Sequence, residues 1–366
     1  MYKEKRIYTT KSKKITKIPM NRDTPRLLAV GSGGNLFPEL LSACHEIRNL
    51  EDYDWTHLAG ISAGALVCAL VSMVPYGDLD TFNRDFERAR LKFTDTTTSP
   101  FQPWIPLGQF ASALFAVLFH KESVFKNNMS QFVDQEFCRA KYLSSGRVLS
   151  VGIFDTVLQA YRTVCSENCN PTTMQHAIVA STAVPVACPS QTVQGNKCRD
   201  GGIAHAIPVV EIARFIDDHR KKGKKVHVDL LISDSIQWPP SEKQTAVDVT
   251  DSLLGVCVSM AWLNLERDLE FLVRQYLSDS DDEAQIVLHL LRTGKKCNFK
   301  RPFGTLRVVA PIDLTPRDRR RRSNFDVVDS DKKRDQLVAR GAKAAWRACN
   351  KRPVDSDKFN TIKASM

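Results

Sequence analysis

The 366-residue chain has no run of 18 or more uncharged apolar residues, which excludes an ordinary membrane-spanning helix. Its N-terminus has no apolar core of the kind that marks a secretory signal. Acidic residues are the scarcer charge: 41 Asp and Glu stand against 52 Lys and Arg, so the formal charge is +11 and an anionic partner is implied. Cysteines number ten, too few in a chain this long for a disulfide lattice. Most lie in apolar runs and read as reduced thiols of a cytosolic or nuclear compartment. Cys165 and Cys169 have no second clustered pair to complete a structural zinc site, and Asp279–Glu283 lacks the glycine and terminal glutamate of a calcium loop. No metal and no cofactor are expected. Arg317–Arg322 has no interleaved aromatic platform, so nucleic acid is not an expected partner. With 43% hydrophobic and 25% charged residues the chain is ordinary globular protein, long enough for a sizeable core.

Residues 1–24 carry Lys3, Lys5, Arg6, Lys11, Lys13, Lys14, Lys17 and Arg22 and read as a disordered basic arm. The folded domain is expected over 25–350, with a polar tail at 351–366. Within it, 75–145 breaks the pattern as a lid or insertion. Its apolar run Leu107–Phe119 is too short to span a bilayer and reads as a buried helix or a docking lid. The apolar run Arg26–Val30 ends in Gly31-Ser-Gly-Gly34, after which Leu36, Leu40, Leu41, Cys44 and Ile47 recur at helical spacing. Trp55–Ala59 is a second strand, ending in Gly60-Ile-Ser-Ala-Gly64 before the small apolar run Ala65–Val74. Two strand–glycine turn–helix units predict a parallel α/β sheet with both turns at one edge. Further on, Val148–Phe154, Val157–Val164, Val226–Ser233 and Leu306–Pro311 read as strands. Thr173–Thr182, Val247–Leu277 and Asp331–Cys349 read as helices. Gln191–Arg199 is a short polar segment, and Asp279–Glu283 a solvated acidic loop.

The first glycine turn is neither of two nucleotide cradles. Asn35-Leu-Phe follows it instead of Gly-Lys-Ser/Thr, and position 36 is Leu where a dinucleotide fingerprint needs glycine. Converging backbone N–H groups at a helix start still suit an anion, whether a phosphate or the oxyanion of acyl transfer. The second turn matches the nucleophile elbow, Gly-x-Ser-x-Gly, in its required setting between strand and helix. It would present Ser62 Oγ at the sheet edge, with the Ala63 N–H facing the oxyanion. A nucleophilic serine needs a base. A hydrolase triad would place a late histidine on a loop, but His289 falls inside the apolar run Ala284–Leu291 and reads as packed. His205, His219 and His227 sit in no triad context.

Gly31-Ser-Gly-Gly34, Gly60-Ile-Ser62-Ala-Gly64 and Asp200-Gly-Gly202 occur in that order, with Ser181-Thr-Ala-Val-Pro185 before the aspartate and Pro208 after it. In this the chain resembles the patatin-like phospholipase family over about residues 25–350. The resemblance implies a three-layer α/β/α fold with a mainly parallel central sheet. It implies a Ser–Asp dyad in which Ser62 is the nucleophile and Asp200 the base, within the motif glycines Gly60, Gly64, Gly201 and Gly202. Gly31, Gly33 and Gly34 fall in the family's oxyanion loop, joined by Ala63. Ser32, Asn35 and Leu36 depart from the usual Gly-Gly-Gly-x-Arg/Lys-Gly, and Ala204–Ile207 replaces an expected Asn after the aspartate. The expected function is hydrolysis of carboxylic esters of phospholipids or related lipids through an acyl-enzyme, by a phospholipase of the A type. The alternatives are a catalytically weak lipid- or partner-binding protein and an α/β-hydrolase with a histidine triad. A lipid substrate, contact with anionic membrane and a cytoplasmic location are expected.

Overall fold

The computed structural model describes residues 24–51, 54–75, 77–94, 129–136, 145–185, 188–233, 263–311 and 331–350. The arm, the tail, Leu107–Phe119 and Arg317–Arg322 lie outside the described residues. The centre is one nine-stranded sheet in the order β5-β6-β3-β2-β1-β7-β9-β8, with β4 also on β3. Its core strands β3 (Val148–Asp155), β2 (His57–Ile61), β1 (Arg26–Val30), β7 (Val226–Leu231) and β9 (Gly304–Val309) run parallel. The margins are antiparallel: β4 (Ala160–Cys165) and β6 (Asn196–Asp200) on β3, β5 (Gln191–Val193) on β6, and β8 (Asn298–Arg301) on β9.

Strand alternation sends Leu28 and Val30 to one face of β1 and Leu27 and Ala29 to the other, and both faces are covered. On the first face lie α1 (Phe37–Leu50), α2 (Ala63–Ser72) and α5 (Pro171–Ser181), whose buried residues share one apolar cluster. The intervening helices are α3 (Leu79–Thr94) and α4 (Met129–Glu136). The second face holds α6 (Val209–Lys221), α7 (described over 263–272, closing in a π turn at Val273–Leu277) and α8 (Asp281–Arg292). Helix α9 (Asp331–Ala348) returns to α1, where Trp346 Nε1 donates to Glu46 at 3.0 Å and Ser42 Oγ to the Val338 carbonyl at 2.8 Å. The result is helix, sheet, helix: three layers.

Several local expectations shift. Val157 and Leu158 are not in a strand: 156–159 is the turn joining β3 to β4. Gln191–Arg199 is mostly a β-hairpin, whose polar alternation hid it. Asp279–Glu283 is not a free loop but the start of α8. Ser280 caps it by accepting the Glu283 N–H at 3.2 Å, and the Glu283 carboxylate accepts the Asp279 N–H at 2.7 Å, a reciprocal capping pair. His289 is exposed on α8 rather than packed. The expected long helix 247–277 is described only from residue 263. The eight cysteines among the described residues are free thiols.

Candidate active site

The elbow forms because β2 must turn abruptly into α2. Ser62 sits between them at φ 57 and ψ −126, a left-handed backbone that a non-glycine residue adopts only under constraint. Close approach explains the flanking glycines. A Cβ on Gly60 would lie 2.4 Å from the Gly64 carbonyl oxygen, and one on Gly64 only 2.2 Å from that of Val30. Gly64 thereby seats the elbow directly on the end of β1. Ser62 is 4% exposed, so its hydroxyl lies under the surface rather than on it.

Register delivers the aspartate. Ile61 of β2 pairs with Gly152 of β3, and Ile153 of β3 pairs with Asp200 of β6. The residue after Ile61 and Asp200 therefore reach one level on either side of β3. Asp200 Oδ1 accepts the Gly202 N–H at 2.7 Å, and the Ser62 hydroxyl lies close enough to the same carboxyl to favour its ionised form. The Asp200 side chain is buried, and loss of solvation pushes its pKa up from 3.8 to about 7 against the opposing pull of the Gly202 N–H and the nearby Ser62 hydroxyl. Gly201 opens a 3₁₀ turn, Gly201–Ile203, that leads away from the site.

The glycine loop follows β1. The Gly31 N–H donates to the Leu231 carbonyl at 2.9 Å, so Gly31 ties the loop to β7 and is no free oxyanion donor. Ser32 is held at both ends: its N–H donates to Ala206 O at 2.8 Å and its carbonyl accepts from Ser233 Oγ at 2.8 Å. Because a trans peptide points its C=O and N–H in opposite directions, the Ser233 bond turns the Gly33 N–H away from Ser233. Gly33 and Gly34 lead into a 3₁₀ turn and α1, with no acceptor for either N–H recorded among the described residues. Ala63 is the first residue of α2, so helix geometry gives its own N–H no intrahelical acceptor.

Other supports join residues far apart along the chain. The Ser62 N–H donates to Ser181 Oγ at 2.9 Å, and Ser181 Oγ donates to the Gly152 carbonyl at 2.7 Å. Two residues on, Ala183 O accepts the Asp200 N–H at 3.1 Å. The end of α5 thus holds the backbones of both Ser62 and Asp200. On the far side of the loop after Asp200, Asn264 Nδ2 donates to the carbonyls of Gly202 at 3.1 Å and Ile203 at 2.9 Å. Asp268 accepts the Ala206 N–H at 2.8 Å and His205 Nδ1 at 2.9 Å. His205 is thereby turned to Asp268 and the Tyr161 ring, 4.8 Å away. His219 bonds the Phe215 carbonyl and His227 bonds Asp229. No histidine hydrogen-bonds Ser62 among the described residues. Nor does any group of three or more His, Cys, Asp and Glu gather there to hold a metal.

Comparison with known proteins decides the family. Residues 28–213 match the model of the family described as patatin-like phospholipase. The chain belongs to the patatin-like phospholipase family. Membership assigns it to lipid acyl hydrolysis in general. One solved structure that it resembles, VipD from Legionella pneumophila, is 12% identical with a TM-score of 0.40, the match covering 90% of this chain and 67% of that one. None of the curated proteins matches the chain. The matched segment contains all three glycine-bearing motifs of this patatin-like chain, together with Ser181. The chain's α7, α8 and α9 lie beyond it. No described helix is long and apolar enough to cross a membrane.

Proposed function

We propose that this protein is a serine lipid acyl hydrolase of the phospholipase A type, working through a Ser62–Asp200 dyad. The observation that carries the reading is the placement of the Ser62 hydroxyl beside the buried Asp200 carboxyl, close enough to favour its ionised form, with no histidine bonded to Ser62 among the described residues. Ionised Asp200 takes the Oγ proton as Oγ attacks the ester carbonyl. The N–H groups of Gly33, Gly34 and Ala63 receive the oxyanion, with the start of α2 adding its positive dipole end. Protonated Asp200 then returns its proton to the departing lysolipid oxygen, leaving an ester on Ser62. Water, deprotonated by Asp200, releases the fatty acid. No metal takes part in this scheme, since backbone donors meet the developing charge.

The substrate we infer is a phospholipid or related carboxylic ester, met at the surface of an anionic membrane from the cytoplasmic side. The +11 charge supports that meeting, and its basic clusters lie in 1–24 and Arg317–Arg322. A fluorophosphonate probe tests the dyad. The folded wild type should be labelled at Ser62, and Ser62→Ala should lose both labelling and ester hydrolysis, the latter by about 10⁶ in kcat. Substantial residual turnover in Ser62→Ala overturns the nucleophile. A folded wild type that resists the probe turns the reading to a lipid-binding protein. Loss of activity in His205→Ala equal to that of Asp200→Asn would instead favour a histidine triad.

A further inference from the structure

We propose that the turn between β3 and β4, with Val157 and Leu158 at its tip, is a lipid anchor that seats the catalytic edge on a bilayer surface. The proposal rests on the lipid-hydrolase reading for its partner and on the following geometry for its place. Strand β3 is parallel to β2 and meets Ile61, the residue before the nucleophile, at Gly152. It then continues to Asp155, about 10 Å further in the same direction at the usual strand rise. The turn that follows therefore stands out past the edge where Ser62 and Asp200 lie. Val157 is 65% exposed and Leu158 62%, the two most exposed large apolar side chains among the described residues. The next, Leu263 at 60%, adjoins Asn264, which bonds the turn after Asp200, so it lies at the same edge.

A turn entering an apolar medium must hide its own N–H and C=O groups, or each unsatisfied one costs several kcal/mol in hydrocarbon. Much of this turn's backbone is already paired. Asp155 Oδ1 accepts the N–H groups of both Val157 and Leu158 at 3.0 Å. The Thr156 N–H donates to the Lys197 carbonyl at 3.0 Å, and the Gln159 side chain donates to the Thr156 carbonyl at 2.6 Å. Asp155 is itself buried, with Asn196 Nδ2 on its other oxygen at 2.7 Å. A buried carboxylate thus holds two apolar side chains outward on a turn in which three N–H groups and one carbonyl already have partners. Exposed Lys197 stands beside it, where a phosphate headgroup would meet it.

The test measures partition of the full-length protein onto neutral phosphatidylcholine vesicles at 0.5 M salt, a concentration that screens the basic clusters at about the 3–5 Å range. The Val157→Ser/Leu158→Ser double variant should bind these vesicles about ten- to a hundredfold more weakly than the wild type. Its kcat/KM on a soluble short-chain ester should stay within about twofold, since neither residue touches Ser62 or Asp200. Leu158→Trp, which enlarges the apolar tip, should bind more tightly than the wild type. Equal partition of wild type and both variants overturns the anchor, as does a wild type that fails to bind at all. Loss of soluble-ester activity in the double variant also overturns it, because the turn would then be supporting the site. A wild type without esterase activity refutes the hydrolase reading while the vesicle comparison still decides the anchor.

Discussion

Asp200 can accept a proton only when ionised, and its folded pKa of about 7 places that requirement near neutrality. We expect kcat/KM to rise with pH through about 7, with the limb gone in Asp200→Asn, which should be as inactive as Ser62→Ala. The same shift bears on stability. An unfolded aspartate releases its proton near 3.8, so between there and about 7 the folded chain holds a proton that the unfolded chain has lost. Stability therefore falls as pH rises across that window, by a few kcal/mol at most, at about 1.4 per pKa unit. Asp200→Asn should accordingly match the wild type at pH 4 and be the more stable protein at pH 8, as denaturant melts can measure. Ser181 makes a second residue-scale case. Ser181→Ala strands the buried Ser62 N–H and the Gly152 carbonyl, at a cost of about 1–3 kcal/mol. Steady-state kinetics should show a fall in kcat of tenfold or more with KM little changed, because the variant loosens the nucleophile and not the lipid contacts.

At the scale of elements, the strand–elbow–helix unit depends on contact without side chains. Gly64→Ala drives a Cβ into the Val30 carbonyl, so we expect a loss of about 2–4 kcal/mol by thermal melting, with activity lost as well. That unit was readable in the sequence because its chemistry is local: an apolar strand, two glycines round a serine, then small helix formers within twenty residues. The Asp-Gly-Gly turn was readable for the same reason. Ser181 was legible only as part of a segment, never as a partner of Ser62, since that bond joins residues 119 apart. Gly31 shows the opposite limit: its motif position was clear, but only the placement of β7 reveals that its N–H is already used. The β5–β6 hairpin escaped because both its strands lie at a sheet margin and alternate polar residues. His289 was misread because α8 covers the sheet with one face only, and the apolar run that enclosed it in sequence winds that residue to the other side.

Across the whole molecule, two buried charge clusters fix the sheet at the end opposite the elbow. Asp54 accepts from Arg48 at 2.7 Å and from Arg147 at 2.7 and 2.8 Å, joining α1 to the starts of β2 and β3. Asp229 in β7 accepts from Trp55 Nε1 at 2.7 Å and Arg307 Nε at 2.6 Å. Both carboxyls pay heavily in solvation, yet the guanidinium groups around them hold their pKa values below the ordinary range. Their contribution to stability is full above about pH 4 and is lost as pH falls, the reverse of Asp200. Asp54→Ala removes the carboxylate that neutralises two buried guanidinium groups and should cost about 3–5 kcal/mol, read as a lowered denaturation midpoint.

The order of strands across the sheet differs from their order along the chain, and the difference has a consequence for synthesis. Ser62 is made early, but Asp200 arrives only with β6, and β1 gains its second neighbour only with β7. While the chain is still emerging from the ribosome, Ser62 has neither Asp200 beside it nor the β7 contact that ties down the glycine loop. Under the proposed dyad, a chain cut short anywhere before residue 200 should hydrolyse no lipid ester, because its serine lacks the aspartate.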